Sequence, residues 1–353
     1  MQTSLGTAEP RIYPPNGKRS FKTRPSEIAR RPAVRKSLRM CAYLCRRLFC
    51  CTGMVTFLIA IAGGTEHGAC VYPVGIETVL PGLTPKPGGT MLYGYSLYYT
   101  AGEFDNSRGK SSVPVFKLNA YAFAFKVVHN WNLHVLGGTL DSNIAIPFVD
   151  EHLHLPDGKF GKFSMGNISI GVLELGYAKG GWHWLYEVDG YLPGAAYSKN
   201  DVLNVGQHNF AFAPAGAVTY LPFHGKTEIS SKLQYIVNAE NTDFRYHGGN
   251  EFLWEYDAMQ EVSKRIALGM NGYFYQQTTD DKQNGMVVAN GFRGRDLAIG
   301  PEFRFRLGAH SGFAVKYQRD TLVQNKPRGN AFWFQIGVPL RTGRSGRSVR
   351  SQN

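Results

Sequence analysis

From Gly88 to Leu340 the chain runs through twelve β-rich segments whose connections alternate between brief and extended, a rhythm that few folds accommodate. The segments cover 88–101, 114–128, 132–147, 166–178, 181–193, 207–222, 226–239, 250–262, 265–278, 295–307, 311–319 and 330–340. Breaks after even-numbered segments are two or three residues long: His129-Asn130-Trp131, Lys179-Gly180, Phe223-His224-Gly225, Ser263-Lys264 and Gly308-Ala309-His310. Breaks after odd-numbered segments cover about 102–113, 148–165, 194–206, 240–249, 279–294 and 320–329. A soluble β-sandwich has no reason to sort its connections this way. A transmembrane barrel does, because its periplasmic turns are tight while its exterior loops are free to grow. An even number of strands then puts the outer ends of the first and last strands on the short-turn, periplasmic side.

Alternation within the segments predicts the same fold, because successive strand residues face opposite sides of the wall. In 226–239, Ile229, Leu233, Tyr235 and Val237 share one face, and Glu228, Ser230, Lys232, Gln234 and Asn238 the other. In 295–307 the split is Leu297, Ile299, Phe303 and Phe305 against Asp296, Glu302, Arg304 and Arg306. The last segment sets Phe332, Phe334, Ile336, Val338 and Leu340 opposite Ala331, Gln335 and Gly337. In a closed barrel the apolar face meets lipid, the polar face meets the lumen, and no strand edge is left in hydrocarbon. The fold class is therefore all-β, an antiparallel up-and-down transmembrane barrel of about twelve strands. Tyr93, Tyr95, Tyr98, Tyr99, Trp182, Trp184, Trp254, Tyr256, Tyr273 and Tyr275 lie near strand ends, where interfacial aromatic girdles are expected. Ordinary β-propensity also favours Tyr and Trp in strands.

The formal charge of +13 points to nucleic acid or an anionic surface only if it sits within the fold. Residues 1–63 hold a surplus of ten positive charges and residues 341–353 a surplus of four, which leaves the body within one unit of neutral. No nucleic-acid partner is expected of such a body. All five cysteines precede residue 71, so the body has no internal disulfide or cysteine metal site. Residues 40–64 place Arg46 and Arg47 before an apolar run of secretory length, which reads as a signal peptide with cleavage near Ala62–Gly64 or as late as Ala69. Residues 1–39 then read as a spurious or disordered upstream extension, 65–87 as a periplasmic or plug-like lead-in, 88–340 as the barrel and 341–353 as a disordered basic tail. Cys70 after Ala69 has the look of a lipoprotein site, with His67 where an aliphatic residue is wanted.

Several dispersed stretches resemble a known family. Glu66-His67-Gly68-Ala69-Cys70-Val71-Tyr72-Pro73-Val74-Gly75, followed by Leu80-Pro81-Gly82, is similar to the mature start of the bacterial meta-pathway of phenol degradation family. Tyr197-Ser198-Lys199-Asn200-Asp201, Gly249-Asn250-Glu251-Phe252, the run from Tyr273 to Asp281, Ala298-Ile299-Gly300-Pro301 and Gly329-Asn330-Ala331-Phe332-Trp333 follow in the same order. The resemblance runs from about Glu66 to Leu340. It implies a transporter-like outer-membrane barrel associated with breakdown of aromatic compounds, with no assigned reaction or site residues. The Arg/Ser tail departs from the pattern, since such barrels usually finish at an aromatic residue of the last strand.

The candidate lumen-lining residues are Lys232, Gln234, Glu251, Glu255, Asp257, Glu302, Arg304, Arg306, Lys316 and Gln318. Charges of both signs on neighbouring strands either form a plug-like network of paired buried charge or line a polar route for solutes. His152 and His154 beside Glu151 and Asp157 make a weak metal pattern in a loop, and Asp280-Asp281 with Asn284-Gly285 reads as a turn rather than a calcium loop. The function these features predict is passive uptake of small, aromatic or hydrophobic compounds through an outer-membrane channel. It needs no cofactor and no catalytic residues; its partners are outer-membrane lipid, the barrel-assembly machinery and the solute. Loops 148–165 and 279–294 would form the mouth. The alternatives are a closed structural or ligand-binding barrel, or an outer-membrane enzyme built on His208 or His247 with a nearby Ser, for which no Gly-x-Ser-x-Gly occurs. If Arg304 and Arg306 line an open path, replacing both shifts ion preference toward cations, and an unchanged reversal potential counts against them.

Overall fold

The computed structural model describes residues 69–194 and 196–343. The upstream extension 1–39, the signal peptide 40–64 and the tail beyond Gly343 lie outside the described residues. Twelve strands form the wall: β1 (Thr90–Asp105), β2 (Lys117–Val135), β3 (Gly138–Leu155), β5 (Ile168–Lys179), β6 (Trp182–Leu192), β7 (Ala211–Tyr220), β8 (Thr227–Asn238), β10 (Glu251–Glu261), β11 (Ile266–Gln277), β14 (Arg295–Arg306), β15 (Gly312–Asp320) and β16 (Lys326–Arg341). Each is antiparallel to its neighbours, and β16 returns to β1 from Thr90↔Arg341 to Asp105↔Lys326. Every wall strand thus finds a partner on both sides, as hydrocarbon demands of a spanning sheet.

The remaining strands belong to the long-loop end. β4 (Gly158–Met165) pairs with the outer half of β3, while β9 (Tyr246–His247), β12 (Lys282–Gln283) and β13 (Met286–Val287) form a separate small sheet. Asn284 and Gly285 both have positive φ, the two-residue turn that joins strands most compactly.

Burial follows the alternation. On β8, Leu233 is 48% exposed and Lys232 beside it 2%. Ile229, Ile299, Phe332 and Phe334 face outward likewise. At the short-turn end Trp182 stacks on Tyr220 at 4.2 Å and Tyr177 on Trp184 at 5.6 Å, an interfacial cluster. Tyr95, Tyr273 and Tyr275, expected in a girdle, instead point inward and are buried, with Tyr93 and Tyr99 packed against the same cluster. Their parity decides this: they share a face with the buried polar residues of their strands, Asp105 on β1 and Asn271 and Gln277 on β11.

Two segment boundaries also differ from the sequence reading. His129-Asn130-Trp131 is part of β2, whose turn comes at Leu136-Gly137; the polar run marks a register shift between Asn130 and His134, with Asn132 at φ +57. Residues 148–165 are a β-hairpin rather than an irregular loop. Beyond the membrane neither face needs to be apolar, so the alternation that marks a strand fades there.

The lipid face carries a direct test. Leu233→Arg places a charge near mid-strand and should lower barrel stability by roughly 2–4 kcal/mol, measured as the midpoint of reversible urea unfolding in lipid vesicles.

Candidate functional site

Residues 69–87 run inside the barrel along its length. The Ala69 carbonyl accepts from Gln207 Nε2 at 2.5 Å near the long-loop end, and Gly88 N donates to the Asn130 carbonyl at 3.1 Å at the short-turn rim. This stretch is too rich in Pro and Gly for strand or helix, so its backbone polar groups need partners from the wall. The wall supplies them. Glu255 accepts from Tyr72 Oη at 2.8 Å and Gly75 N at 2.7 Å; Lys316 Nζ donates to the carbonyls of Gly75 and Ile76, each at 2.9 Å, and to Thr78 Oγ1 at 3.0 Å. Lower down, Leu80 N donates to Glu228 and Gly82 N to Thr219. Gly75 has φ +88, and a Cβ there would strike Gln318, whose Nε2 donates to the Gly75 carbonyl at 3.1 Å. Only glycine serves at that point.

The central tie is Glu77. Its carboxylate pairs with Lys126 on β2 and Lys232 on β8, strands on opposite sides of the ring, so one plug residue braces the wall across the lumen. Lys232 also pairs with Glu187 at 2.5 Å, and Glu187 lies close to Glu174 and Asp189. Apolar plug residues Val71, Tyr72 and Ile76 pack among Tyr95, Tyr191, Ile236 and Trp333 in the barrel's main buried cluster.

Each sequence candidate has a definite place. Lys232, Glu255, Lys316 and Gln318 hold the plug. Beneath it Arg304 donates to Glu228, Asp257 and Glu302, the last at 2.5 Å. Gln234 Nε2 donates to Tyr191 Oη at 3.0 Å, and Glu251 accepts from Asn238 at 3.0 Å. Arg306 stands apart at the short-turn rim, its side chain 55% exposed and 3.3 Å from Glu261. The structure therefore separates the two arginines: one is enclosed by carboxylates, the other meets solvent. Sequence reasoning missed Glu77, Lys126, Glu174, Glu187 and Asp189. The signal was present, because Glu187 and Asp189 alternate with outward Tyr186 and Val188 as the later strands do.

Two cavities flank the plug. The short-turn cavity, about 550 Å³, is bordered by Leu80, Leu83, Met259, Arg304 and Phe313. The long-loop cavity, about 350 Å³, has mostly apolar walls, including Leu97, Phe116, Leu118, Leu153 and Trp333, and its floor includes Tyr72 of the plug. Part of its side is the 196–204 segment instead of a strand, fastened to β4 by Lys162, which donates at 2.7 Å to both Asp201 and Asn204.

Above the cavity Asp281 anchors the small sheet, accepting from Tyr246 Oη at 2.6 Å, Gly249 N at 2.8 Å and Gln277 Nε2 at 2.7 Å. Burial pushes its carboxyl up to about 6 despite these donors. His152 meets Asp150 at 3.2 Å in the β3–β4 hairpin, and His154 lies on the same strand. His208 stacks on Tyr197 and faces Asp243, while His247 bonds the Asn238 carbonyl; among the described residues neither is hydrogen-bonded to a serine. Cys70 lies within the lumen, its Sγ accepting from Tyr72 N at 3.4 Å, a poor position for a lipid-bearing end.

The arginine network carries a testable consequence. Arg304→Gln strands three carboxylates and should cost about 3–5 kcal/mol in urea unfolding. Arg306→Gln, at an exposed pair, should cost no more than about 1 kcal/mol.

Among solved structures, an outer-membrane channel from Pseudomonas putida F1 shares the fold at a TM-score of 0.65, with 16% identity over 76% of this chain and 100% of that one. Two others are far more distant: the CymD monoaromatic hydrocarbon channel (TM-score 0.37, 7% identity, 73% and 90% covered) and a Pseudomonas aeruginosa FadL homologue (0.33, 8%, 72% and 90%). No curated protein matches the sequence significantly. The closed twelve-strand ring and its shared architecture make this an outer-membrane β-barrel. Residues 101–336, well over half of the chain, match the family described as MetA-pathway of phenol degradation, and the chain belongs to that family.

Proposed function

We propose that the protein takes up small hydrophobic or aromatic compounds across the outer membrane by passive diffusion, with the segment 69–87 as the internal barrier. The observation that carries this reading is the apolar long-loop cavity, closed below by the plug inside a membrane-spanning ring. Its walls favour an uncharged, water-averse solute, which gains roughly 25 cal/mol for each Å² of apolar surface it hides from water. The lumen candidates act here mainly as plug holders, and the Glu77 ties to Lys126 and Lys232 set how tightly the lumen is shut. The same reading makes the barrel a client of the barrel-assembly machinery, with β16 as its last strand.

A second reading, a closed barrel that binds ligands or supports the envelope without transport, draws on the same plug, since it fills the middle of the lumen. One pair of measurements separates them. Under the uptake reading, the full-length barrel in liposomes speeds entry of an aromatic hydrocarbon while passing little ionic current, and Glu77→Gln raises single-channel conductance several-fold. A barrel that leaves hydrocarbon entry unchanged, with Glu77→Gln equally silent in planar bilayers, supports the closed reading instead.

A further inference from the structure

On the lumen side of β5 and β6, buried acids crowd together. Glu174 on β5 is directly opposite Glu187 on β6, and like charges facing each other across a ladder destabilise a sheet. A β-bulge produces this. Val172 and Leu173 both turn outward, which brings Glu174 back to the inner face beside Gly171, itself paired with Asn143 on β3 and Asp189 on β6. Ligand oxygens of Glu174, Glu187 and Asp189 all lie within 4.8 Å of one another, and none of the three residues is more than 5% exposed. Gly171 keeps the middle of the group open: a Cβ there would come to 2.7 Å from Glu174 Oε1 and from Asp189 Oδ1, and closer still to Asn143 Nδ2.

The cations within reach do not balance this group. Lys126 and Lys232 both pair with Glu77, and Lys232 also pairs with Glu187; among the described residues neither Glu174 nor Asp189 has an ion pair. Four carboxylates against two ammonium groups leave two negative charges, the charge of one divalent cation. Asp141, opposite Glu174 on the β3 side, adds to the surplus. A neutral oxygen is at hand as well. Asn143 is 5% exposed and aims its amide between Glu174 and Asp189: Nδ2 donates to both, to Asp189 Oδ1 at 3.3 Å, while Oδ1 has no hydrogen-bond partner among the described residues. A half-turn of the amide exchanges its two ends and sets Oδ1 toward the group, the orientation a cation would impose.

We propose that Glu174, Glu187 and Asp189, together with Asn143 Oδ1, bind one calcium ion on the inner face of the wall, tying β3, β5 and β6 to one another. The inference is independent of the uptake reading, since the ion braces the barrel and no solute need touch it. An all-oxygen, mostly anionic ligand set suits a hard cation. A spread of up to 4.8 Å is what opposite ligands of one calcium show, each roughly 2.3–2.6 Å from the ion; magnesium, at about 2.0–2.1 Å, demands a tighter, near-octahedral set. Binding turns the repulsion between Glu174 and Glu187 into a shared bond.

The test is equilibrium dialysis of the full-length protein, in nonionic detergent, against radioactive calcium with magnesium in excess, after treatment with a chelator and its removal. One calcium per barrel is expected, and its binding should move the heat-modifiable gel transition to higher temperature. Glu174→Gln and Asp189→Asn should each weaken calcium about tenfold, whereas Asn143→Asp, which exchanges the neutral ligand for a fourth carboxylate, should tighten it several-fold. If Asn143 serves only to donate to the two acids, Asn143→Asp instead weakens the barrel and calcium does not restore it. No calcium retained above detergent alone, binding unaltered in both Glu174→Gln and Asp189→Asn, or an Asn143→Asp barrel that calcium neither binds more tightly nor restores, overturns the site.

Discussion

A ring of twelve strands encloses more space than its own inward side chains fill and less than an open aqueous channel needs. In this protein the difference is made up by chain. The 69–87 segment brings a carboxylate, several carbonyls and amides, and a few apolar side chains into a lumen whose wall presents their complements. The inward charges of the wall follow from that filling. The plug that shuts Lys316 away from water also supplies its partners, two carbonyls and a hydroxyl.

The plug also sets how the space is shared out. By filling the middle of the lumen it leaves one cavity facing each end, and the two differ in chemistry. The short-turn cavity borders the Arg304 network and the exposed Arg306. The long-loop cavity is walled mostly by aliphatic and aromatic side chains, with Glu151, Asp296 and Lys326 among its few charged ones. An apolar compound arriving from outside therefore meets a compatible surface first and the charged belt only after the plug.

The wall was legible from sequence because hydrocarbon imposes a rule that each residue obeys locally: Leu233 out, Lys232 in. The same rule explains the misreadings. Where β3 rises past the membrane, the outward face turns polar with Asp150, His152 and His154 while Leu153 and Leu155 face inward, so the apolar-out rule is lost; where Tyr95, Tyr273 and Tyr275 turn inward, residue type alone suggested an interface and only parity gave the direction. The plug was hardest to read. Its stretch from Val71 to Pro87 has no period, and the groups that position it, such as Lys126, Glu255 and Lys316, lie far apart in sequence and converge only when the ring closes. Glu187 and Asp189 were within reach, since their strand alternates as cleanly as β8.

The closed seam between β1 and β16 has a consequence for the order of folding events. A segment encircled by a continuous ladder cannot be slipped in sideways once that ladder is complete. Residues 69–87 directly precede β1, and their far end lies beside Gln207, at the opposite rim from where β1 begins. Threading nineteen residues end-on through a finished ring would drag Glu77 past buried partners of like charge. The topologically simpler history has the plug lying along the inner face of β1 and β2 while the sheet is still open, so that the last hydrogen bonds to form, those of the seam, are also the ones that make the enclosure permanent.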